Sequence, residues 1–252
     1  MSLLAPDEPH PVILVNEAAS SPVVLVCEHA GRVVPRALGN LGLGEADLSR
    51  HIAWDIGAEA VSRRLSQKLD ATLILQRYTR LAYDCNRPPD HPGAMPEMSE
   101  LTPIPGNVNL SAAERLARTS ALYEPFHAAV RAVLDAKADP VFVTIHSFTR
   151  HFKGMVRDVE LGLLHHADDR LARRLQQLMG ELYPGIDTRI NEPYGPGDGV
   201  AHTLDLHGNS RGITNVMIEI RNDLIADQEG QAIWAGLLAE LIAEATQEKE
   251  QT

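Results

Sequence analysis

Cysteine, positive charge and long apolar runs are all scarce in this chain. Cys27 and Cys85 are the only cysteines among 252 residues, which excludes a disulfide framework, and their spacing is not that of a zinc-binding pair. No apolar run approaches the roughly 20 residues that cross a bilayer. The first residues also lack the positively charged start of a signal peptide. We therefore expect a cytoplasmic protein with no contact to a membrane.

The charge balance bears on the class of partner. The chain has 23 basic and 34 acidic residues, a formal net charge of −11, and the acidic residues are spread along the sequence. Such a surface repels nucleic acid and anionic membranes. A small diffusible substrate is the expected partner, and the sequence leaves the oligomeric state open.

What the chain does contain is enough apolar material for a large core. Hydrophobic residues make up 44% of the sequence, a content typical of a folded globular protein of this length. No internal repeat and no shift in composition marks a boundary, which predicts one domain over residues 1–252. Continuous apolar runs predict strands at residues 11–16, 23–27, 72–76, 140–146, 159–164 and 214–220.

Helical patterns alternate with these runs. Apolar residues recur at helical spacing in three sets: Ala58, Val61, Leu65 and Leu69; Leu171, Leu175, Leu178 and Leu182; Ile233, Leu237, Leu241 and Ala245. A further helix should begin with a capping box formed by Ser111 and Glu114 and end near Asp139. Strands with continuous apolar sequence, interleaved with helices, predict an α/β fold whose largely parallel sheet is covered on both sides.

Two long segments fit neither pattern. Residues 86–107 and 191–212 are rich in proline, glycine and polar residues, without the low complexity of a linker. Loops of this length inside a compact domain are usually functional or disordered. We expect both to cover a site.

Two of the predicted strands end on a histidine. The run VVLVCEH delivers His29 and the run VFVTIHS delivers His146. Either residue alone is typical of a packed or capping histidine. In open α/β sheets, however, ligands bind beyond the carboxyl ends of the strands, where two histidines can converge. The pair therefore predicts a metal site.

A catalytic zinc site takes three protein ligands and leaves one position open, so a carboxylate should accompany the histidines. The candidates are Glu28, Asp55 and Asp84. Glu28 adjoins His29 on a strand end, where neighbouring side chains point to opposite faces. Asp55 lies near the start of a helix and Asp84 near two arginines, positions that also suit a helix cap and a salt bridge.

Glu219 lies between two isoleucines of a predicted central strand. Burial of a carboxylate is costly unless it is paired with a cation or belongs to a site, where a raised pKa would suit a general base. Arg221, two residues further on, would share its face of the strand and offers an ion pair as the alternative.

Six motifs that follow one another along the chain together resemble the N-formylglutamate amidohydrolase family. They are CEHAG with the following VP, HIAWDIGA, RLAYDCNRP, YEPFH, TIHSF and NVMIEIRNDLI, and they run from about residue 20 to residue 227. The resemblance implies a three-layer α/β/α, phosphorylase/hydrolase-like fold related to zinc carboxypeptidases, with a mixed, mostly parallel sheet. It also implies hydrolysis of an N-acyl amide such as N-formyl-L-glutamate to formate and glutamate.

The same resemblance assigns roles. TIHSF is similar to the segment with the strand-end histidine ligand of the carboxypeptidases, which implies His146 as a ligand and Ser147 beside the substrate. MIEIR resembles the strand that carries their general base, which implies this role for Glu219. DCNRP is similar to the Asn-Arg pair that holds a substrate carboxylate, which implies Asn86 and Arg87 in the pocket.

HIAWDIGA places Asp55 where the family carries an acidic residue. The resemblance thus implies Zn²⁺, or another divalent metal, held by His29, Asp55 and His146. Carboxypeptidases carry a glutamate ligand three residues after the first histidine, whereas this chain has Arg32 there. Further substrate contacts are assigned to Arg80, Tyr194 and His202, while Glu28, Arg221 and His127 stay as possible site residues, His127 being either a packed core histidine or a pocket residue.

Two other functions are compatible with the sequence. The first is a zinc deacylase or peptidase-like hydrolase for a different N-acyl amino acid, which the loop at 86–107 would decide. The second is a protein that binds an acidic metabolite without turnover. A binding protein without turnover would be expected to lack one of the metal-ligating residues, and none of the candidate ligands is missing.

Overall fold

A seven-stranded sheet forms the centre of the computed structural model, which describes residues 3–247. In chain order the strands are β1 (Val12–Val15), β2 (Val23–Cys27), β3 (Thr72–Gln76), β4 (Met98–Ser99), β5 (Thr102–Pro103), β6 (Val141–Phe148), β7 (His151–Phe152), β8 (Met155–Val156), β9 (Leu161–Leu164), β10 (Thr188–Ile190) and β11 (Thr214–Arg221). The order across the sheet is β1-β3-β2-β6-β11-β9-β10. The central strands β3, β2, β6 and β11 are parallel, while β1 and the pair β9 and β10 run in the opposite direction.

The predicted strands are all present, with ends that differ by at most two residues from the apolar runs. The sequence did not predict the edge strand β10 or the hairpins β4–β5 and β7–β8. These strands have two or three residues each, and none of those residues is fully buried. They consequently lack the continuous apolar run that identifies a central strand.

Helices cover both faces of the sheet. They are α1 (Glu45–Leu48), α2 (Ala58–Leu69), α3 (Ala112–Arg118), α4 (Glu124–Asp135), α5 (Arg170–Leu182), α6 (His202–His207) and α7 (Gln228–Gln247). Helices α2, α5 and α7 share one apolar core with one face of the sheet, and α4 and α6 share a second core with the other face. This is the expected three-layer α/β/α arrangement. Within residues 3–247 no helix combines the length and the apolar surface that a membrane crossing requires.

The helix that begins after Ser111 differs from its prediction. Its capping box is confirmed: Glu114 N donates to Ser111 Oγ, and the Glu114 carboxylate accepts from the Ser111 backbone. A single π-helical turn, Thr119–Tyr123, joins α3 to α4. The predicted end near Asp139 is wrong, because α4 ends at Asp135. Pro140 follows Asp139 and disfavours helical backbone there, and Asp139 adopts a φ of 44° instead.

Two members of the predicted apolar stripes lie outside the core. Ile233 is 59% exposed and Leu182 is 46% exposed. In α7 the residues that face the sheet next to Ile233 are Trp234 and Leu237, both buried. The core-facing surface of this helix is therefore turned by about one residue relative to the predicted stripe at its start.

Candidate metal centre and active site

The carboxyl ends of the parallel strands bring the candidate residues together. His146 lies in β6 and Glu219 lies directly opposite it on β11, in the same register and on the same face. His29 follows the end of β2, the other neighbour of β6. Asp55 reaches this point from the turn before α2, and its backbone N–H donates to the carbonyl of His29. All four side chains are buried.

Three ligand atoms converge on one point. His146 Nδ1 lies 3.1 Å from His29 Nδ1 and 3.0 Å from Asp55 Oδ2. The third side of the triangle, from His29 Nδ1 to Asp55 Oδ2, is 3.4 Å. Tetrahedral zinc with bonds of about 2.0–2.1 Å spaces its ligand atoms about 3.3 Å apart. The buried group of His29, Asp55 and His146 thus has the dimensions of a zinc site.

Two further carboxylates lie against the outer nitrogens of the histidines. His29 Nε2 lies 2.7 Å from Asp84 Oδ1, and His146 Nε2 lies 3.0 Å from Glu28 Oε2. When Nε2–H of each ring donates to the carboxylate behind it, Nδ1 is left with a lone pair that faces the shared point. Two such lone pairs and a carboxylate oxygen repel one another unless a cation lies between them. This donor set therefore fits a metal ion.

The electrostatics of the histidines point the same way. Burial and Arg80 lower the pKa of His29, but Asp84 and Asp55 outweigh them and leave it above its ordinary value. Burial also lowers the pKa of His146, and Glu28 and Asp55 raise it well above the ordinary value. The surrounding carboxylates thus favour positive charge at this point in the fold.

Asp55 and Asp84 each had a structural role as an alternative to metal binding, a helix cap and a salt bridge, and only the salt bridge is present. Asp55 does not cap α2, because the N-cap of that helix is Gly57 and no side chain bonds to it. Burial would raise the pKa of Asp55, but His29 and His146 hold it below its ordinary range. Asp84 forms the predicted salt bridge with Arg80, at 2.8 Å. Arg80 spans both aspartates, since its Nη1 lies 3.3 Å from Asp55 Oδ1.

Glu219 has no ion pair with Arg221, so that alternative is wrong. Arg221 ends the strand and turns away, donating from Nε to Asp223 Oδ1 at 2.8 Å and from Nη1 to the carbonyl of Asp158 at 2.7 Å. Glu219 Oε2 has no hydrogen-bond partner among the described residues. Burial raises the pKa of Glu219. The positive charge of His146 lowers this pKa and the negative charge of Asp55 raises it, and the resulting pKa is about 7. This carboxyl group titrates near neutral pH beside the candidate metal ligands.

A cavity of about 330 Å³ opens above these residues. Its walls include the three candidate metal ligands and Glu219, together with five of the predicted substrate contacts: Arg80, Asn86, Arg87, Ser147 and Tyr194. Both long loops contribute, because Met98, Ser99 and Glu100 line it from residues 86–107 and Val200 lines it from residues 191–212. The expectation that these loops cover a site is confirmed.

The Asn86 side chain joins the two long loops, residues 86–107 and 191–212, through hydrogen bonds. Its Nδ2 donates to the carbonyl of Val200 at 2.6 Å, and its Oδ1 accepts from the backbone N–H of Thr203 at 3.0 Å. Arg87 donates from Nη1 to the carbonyls of Asn86 and Gly199. No carboxylate among residues 3–247 forms an ion pair with Arg87, so its other nitrogens can serve a ligand.

The two remaining histidine candidates lie behind the site. His127 is buried, its Nε2 lies 2.9 Å from the carbonyl of Cys85, and its Nδ1 lies 2.8 Å from His207 Nε2. His127 is therefore the packed core histidine, not a wall of the described cavity. His202 stacks on Tyr123 and lies 2.9 Å from its hydroxyl, also away from the cavity lining.

Sequence inspection missed several residues of the cavity wall. His51 and His91 line it, and His51 Nε2 lies 3.1 Å from Glu100 Oε1. His51 falls inside the quoted motif HIAWDIGA, which was the available indication. Phe152 belongs to the hairpin β7–β8, whose sequence offers no comparable pattern.

A mixed α/β sheet whose strand ends gather two histidines, an aspartate and an unpaired glutamate around one cavity defines a candidate metal-dependent hydrolase. The N-formylglutamate amidohydrolase family model matches residues 21–226, and the chain belongs to this family.

Two solved structures are similar over nearly the whole chain. Gene product Atu2144 from Agrobacterium tumefaciens is 50% identical with a TM-score of 0.94, covering 98% of this chain and 99% of its own. N-formylglutamate amidohydrolase from Ralstonia eutropha JMP134 is 20% identical with a TM-score of 0.70, covering 97% of this chain and 100% of its own. The second likeness shows the fold. No significant match was found among curated proteins.

Proposed function

We propose that this protein hydrolyses the N-acyl amide of an acidic amino acid, with N-formyl-L-glutamate as the leading substrate. Family membership supports the reaction class. The observation that carries the proposal is the convergence of His29 Nδ1, Asp55 Oδ2 and His146 Nδ1 beside the unpaired Glu219 carboxylate.

In this proposal His29, Asp55 and His146 hold a divalent metal ion, and zinc is the expected metal. Such an ion would supply a Lewis acid that polarises the acyl carbonyl and lowers the pKa of water. Glu219 accepts the proton of the attacking water and returns it to the amide nitrogen that leaves. Burial raises the pKa of Glu219 above its ordinary value, which favours uptake of the proton from water.

Cationic residues of the wall complete the chemistry. The side chain of Arg80 is 28% exposed, and its positive charge favours the negative charge that develops on the carbonyl oxygen. Arg87 offers Nε and Nη2 to a substrate carboxylate, in the geometry that a guanidinium provides. Asn86 positions the Val200 and Thr203 backbone, Ser147 N donates to Asp55 Oδ2 at 3.2 Å, and Tyr194 shapes the wall.

The test is an activity panel with metal analysis. Purified protein loaded with Zn²⁺ should release formate from N-formyl-L-glutamate and bind about one ion per chain. His29→Ala and His146→Ala should each lose the ion while the fold, followed by circular dichroism, is retained. Failure of the metal-loaded protein to cleave any N-formyl or N-acyl amino acid would reject the proposal.

One observation favours a broader substrate. A second cavity of about 580 Å³ adjoins the first and shares Arg87, Phe152, Tyr194 and Val200 with it. This room suits a zinc deacylase acting on a different N-acyl amino acid. The ratio of kcat/KM for formyl, acetyl and larger acyl groups on the same amino acid decides between the two.

A further inference from the structure

Arg157 is one of two arginines in the walls of the two cavities that have no ion pair among the described residues, the other being Arg87. Arg80 pairs with Asp55 and Asp84, and Arg189 pairs with Asp187 and Glu192. Arg157 has no carboxylate partner among the described residues. An arginine without a counter-ion at the wall of a cavity has its charge available to a ligand.

Aromatic rings hold the Arg157 guanidinium in place. Its central carbon lies 4.2 Å from the centroid of Phe152, 4.8 Å from that of Tyr194 and 5.9 Å from that of Phe148. Its Nη1 also donates to the Tyr194 hydroxyl at 3.1 Å. Because a guanidinium fixed in one plane loses little freedom on binding, it is prepared for two parallel hydrogen bonds to a carboxylate.

The position of Arg157 links it to the candidate catalytic residues. Phe152 and Tyr194, which hold it, line both cavities, whereas Arg157 lines the second. Tyr194 also responds to the charges on either side of it: burial raises its pKa, Glu219 raises it further and Arg157 lowers it. Tyr194 thus contacts Arg157 on one side and lines the cavity that contains Glu219.

The second cavity is lined by negative as well as positive charge. Its acidic residues are Asp158, Glu192 and Asp198, and its basic residues are Arg87, Lys153, Arg157 and Arg189. Glu192 pairs with Arg189, which also pairs with Asp187. The two guanidinium groups without an ion pair, Arg87 and Arg157, thus lie along one continuous path of two cavities. Two separate cations suit a ligand with two separate carboxylates.

We infer that Arg157 binds the side-chain carboxylate of a dicarboxylic N-acyl amino acid, while Arg87 takes the carboxylate next to the scissile amide. This inference rests on the proposed function and specifies its substrate class. Arg157 acts in binding and does not touch the reacting atoms, so its loss should affect recognition of the acidic side chain far more than the rate of cleavage.

The experiment compares N-formyl-L-glutamate with N-formyl-L-glutamine, which have the same shape and differ in one charge. In the Zn²⁺-loaded Arg157→Met variant, kcat/KM for the glutamate compound should fall about 10- to 100-fold, mainly through KM, as expected for a lost charge-assisted contact. For N-formyl-L-glutamine, kcat/KM should change less than about threefold. Arg157→Lys, which keeps the charge without the fork of donors, should recover part of the preference.

Arg189→Met is the matched control, because it removes a guanidinium from the same cavity that is already paired with protein carboxylates. It should preserve the preference for glutamate. An equal loss on both substrates in Arg157→Met, or no loss on either, would overturn the inference and leave the proposed hydrolase function standing.

If the wild-type protein cleaves no N-formyl or N-acyl amino acid, the proposed function has failed, and binding then tests Arg157 alone. Calorimetry with L-glutamate and L-glutamine should show a preference for glutamate in the wild-type protein that Arg157→Met removes. Equal affinities for the two amino acids in the wild-type protein would reject the inference on this arm.

Discussion

At the scale of single residues, the site is notable for how its carboxylates differ in environment. Asp84 has Arg80 and His29 as partners, and although burial raises its pKa, these cations hold it well below the ordinary value. Glu219 lacks such partners and has a pKa raised to about 7 by burial. The same functional group thus has a lowered pKa at one position and a raised pKa at the other.

Glu219→Gln tests the proton-transfer role. Glutamine keeps the size of the side chain but cannot accept a proton, so kcat should fall by at least about a hundredfold while zinc content stays unchanged. Steady-state kinetics on the best substrate and metal analysis of the same sample provide the measurement. A variant with near-normal kcat would remove Glu219 from the mechanism.

Glu28→Gln tests the orientation of His146. Glu28 is fully buried with its Oε2 at 3.0 Å from His146 Nε2, outside the three converging ligands. Loss of its charge should weaken zinc binding about 10- to 100-fold, the usual effect of changing a carboxylate behind a histidine ligand. Competition with a chelator of known affinity measures it, and Glu160→Gln, a partly buried carboxylate paired with Arg221, serves as the control. Unchanged affinity in Glu28→Gln would contradict this role.

At the scale of secondary-structure elements, the turn before α2 decides whether Asp55 reaches the site. Gly57 has a φ of 81°, and a Cβ at this position would lie 2.2 Å from the carbonyl oxygen of Ile225. Only glycine fits both the left-handed conformation and the close approach of the Ile225 backbone. The glycine of the HIAWDIGA motif therefore places the aspartate that precedes it by two residues.

Gly57→Ala should therefore lower both stability and metal affinity. The strained backbone and the collision with Ile225 should cost about 1–3 kcal/mol in the free energy of unfolding, measured by urea denaturation. Zinc affinity should fall as well, because the turn that carries Asp55 must shift. Gly180→Ala is the control: Gly180 lies in α5 with nothing within 4 Å of its Cβ position, and alanine there should stabilise by about 0.5–1 kcal/mol. Equal effects of the two changes would refute the argument.

At the scale of the whole molecule, buried neutral histidines make stability depend on pH. His127 and His207 stack with ring centroids 5.0 Å apart behind the site. The carbonyl of Cys85 accepts from His127 Nε2, so His127 Nδ1 accepts from His207 Nε2 and both rings are neutral. Burial lowers the pKa of His127 to about 4 and that of His207 to about 3.

The sign of the effect follows from proton binding. Above about pH 6.5 these histidines are neutral in both the folded and the unfolded chain, so their protonation does not lower the free energy of unfolding. As the pH falls from about 6.5 to about 4 the unfolded chain binds protons that the folded chain refuses, so the free energy of unfolding drops. At pH 5 the loss should be about 2 kcal/mol per histidine.

Urea denaturation of the wild-type protein and of His127→Gln between pH 7.5 and pH 5 measures this slope. The variant starts from a lower stability at pH 7.5 but should lose less of it on acidification, because one of the two groups no longer titrates. A slope as steep in the variant as in the wild-type protein would show that other groups cause the loss.

By itself the sequence determined the central strands and the histidines at their ends. Continuous apolar runs such as VVLVC and VFVTI favour strands buried on both faces, and the residues that follow such runs lie toward the carboxyl ends of these strands. The family motifs brought Asp55 and Glu219 to the same place. These features are local: each depends on the order of neighbouring residues and on the burial that their apolar side chains demand.

Only the tertiary structure decided which partners these residues meet. Asp84 lies 55 positions from His29 and Thr203 lies 117 positions from Asn86, so no local pattern records either contact. The same holds for Arg157, whose place between Phe152 and Tyr194 depends on a hairpin and a loop that meet in space. Hydrogen bonds and ion pairs act over a few ångströms regardless of sequence separation, and the fold alone sets those distances.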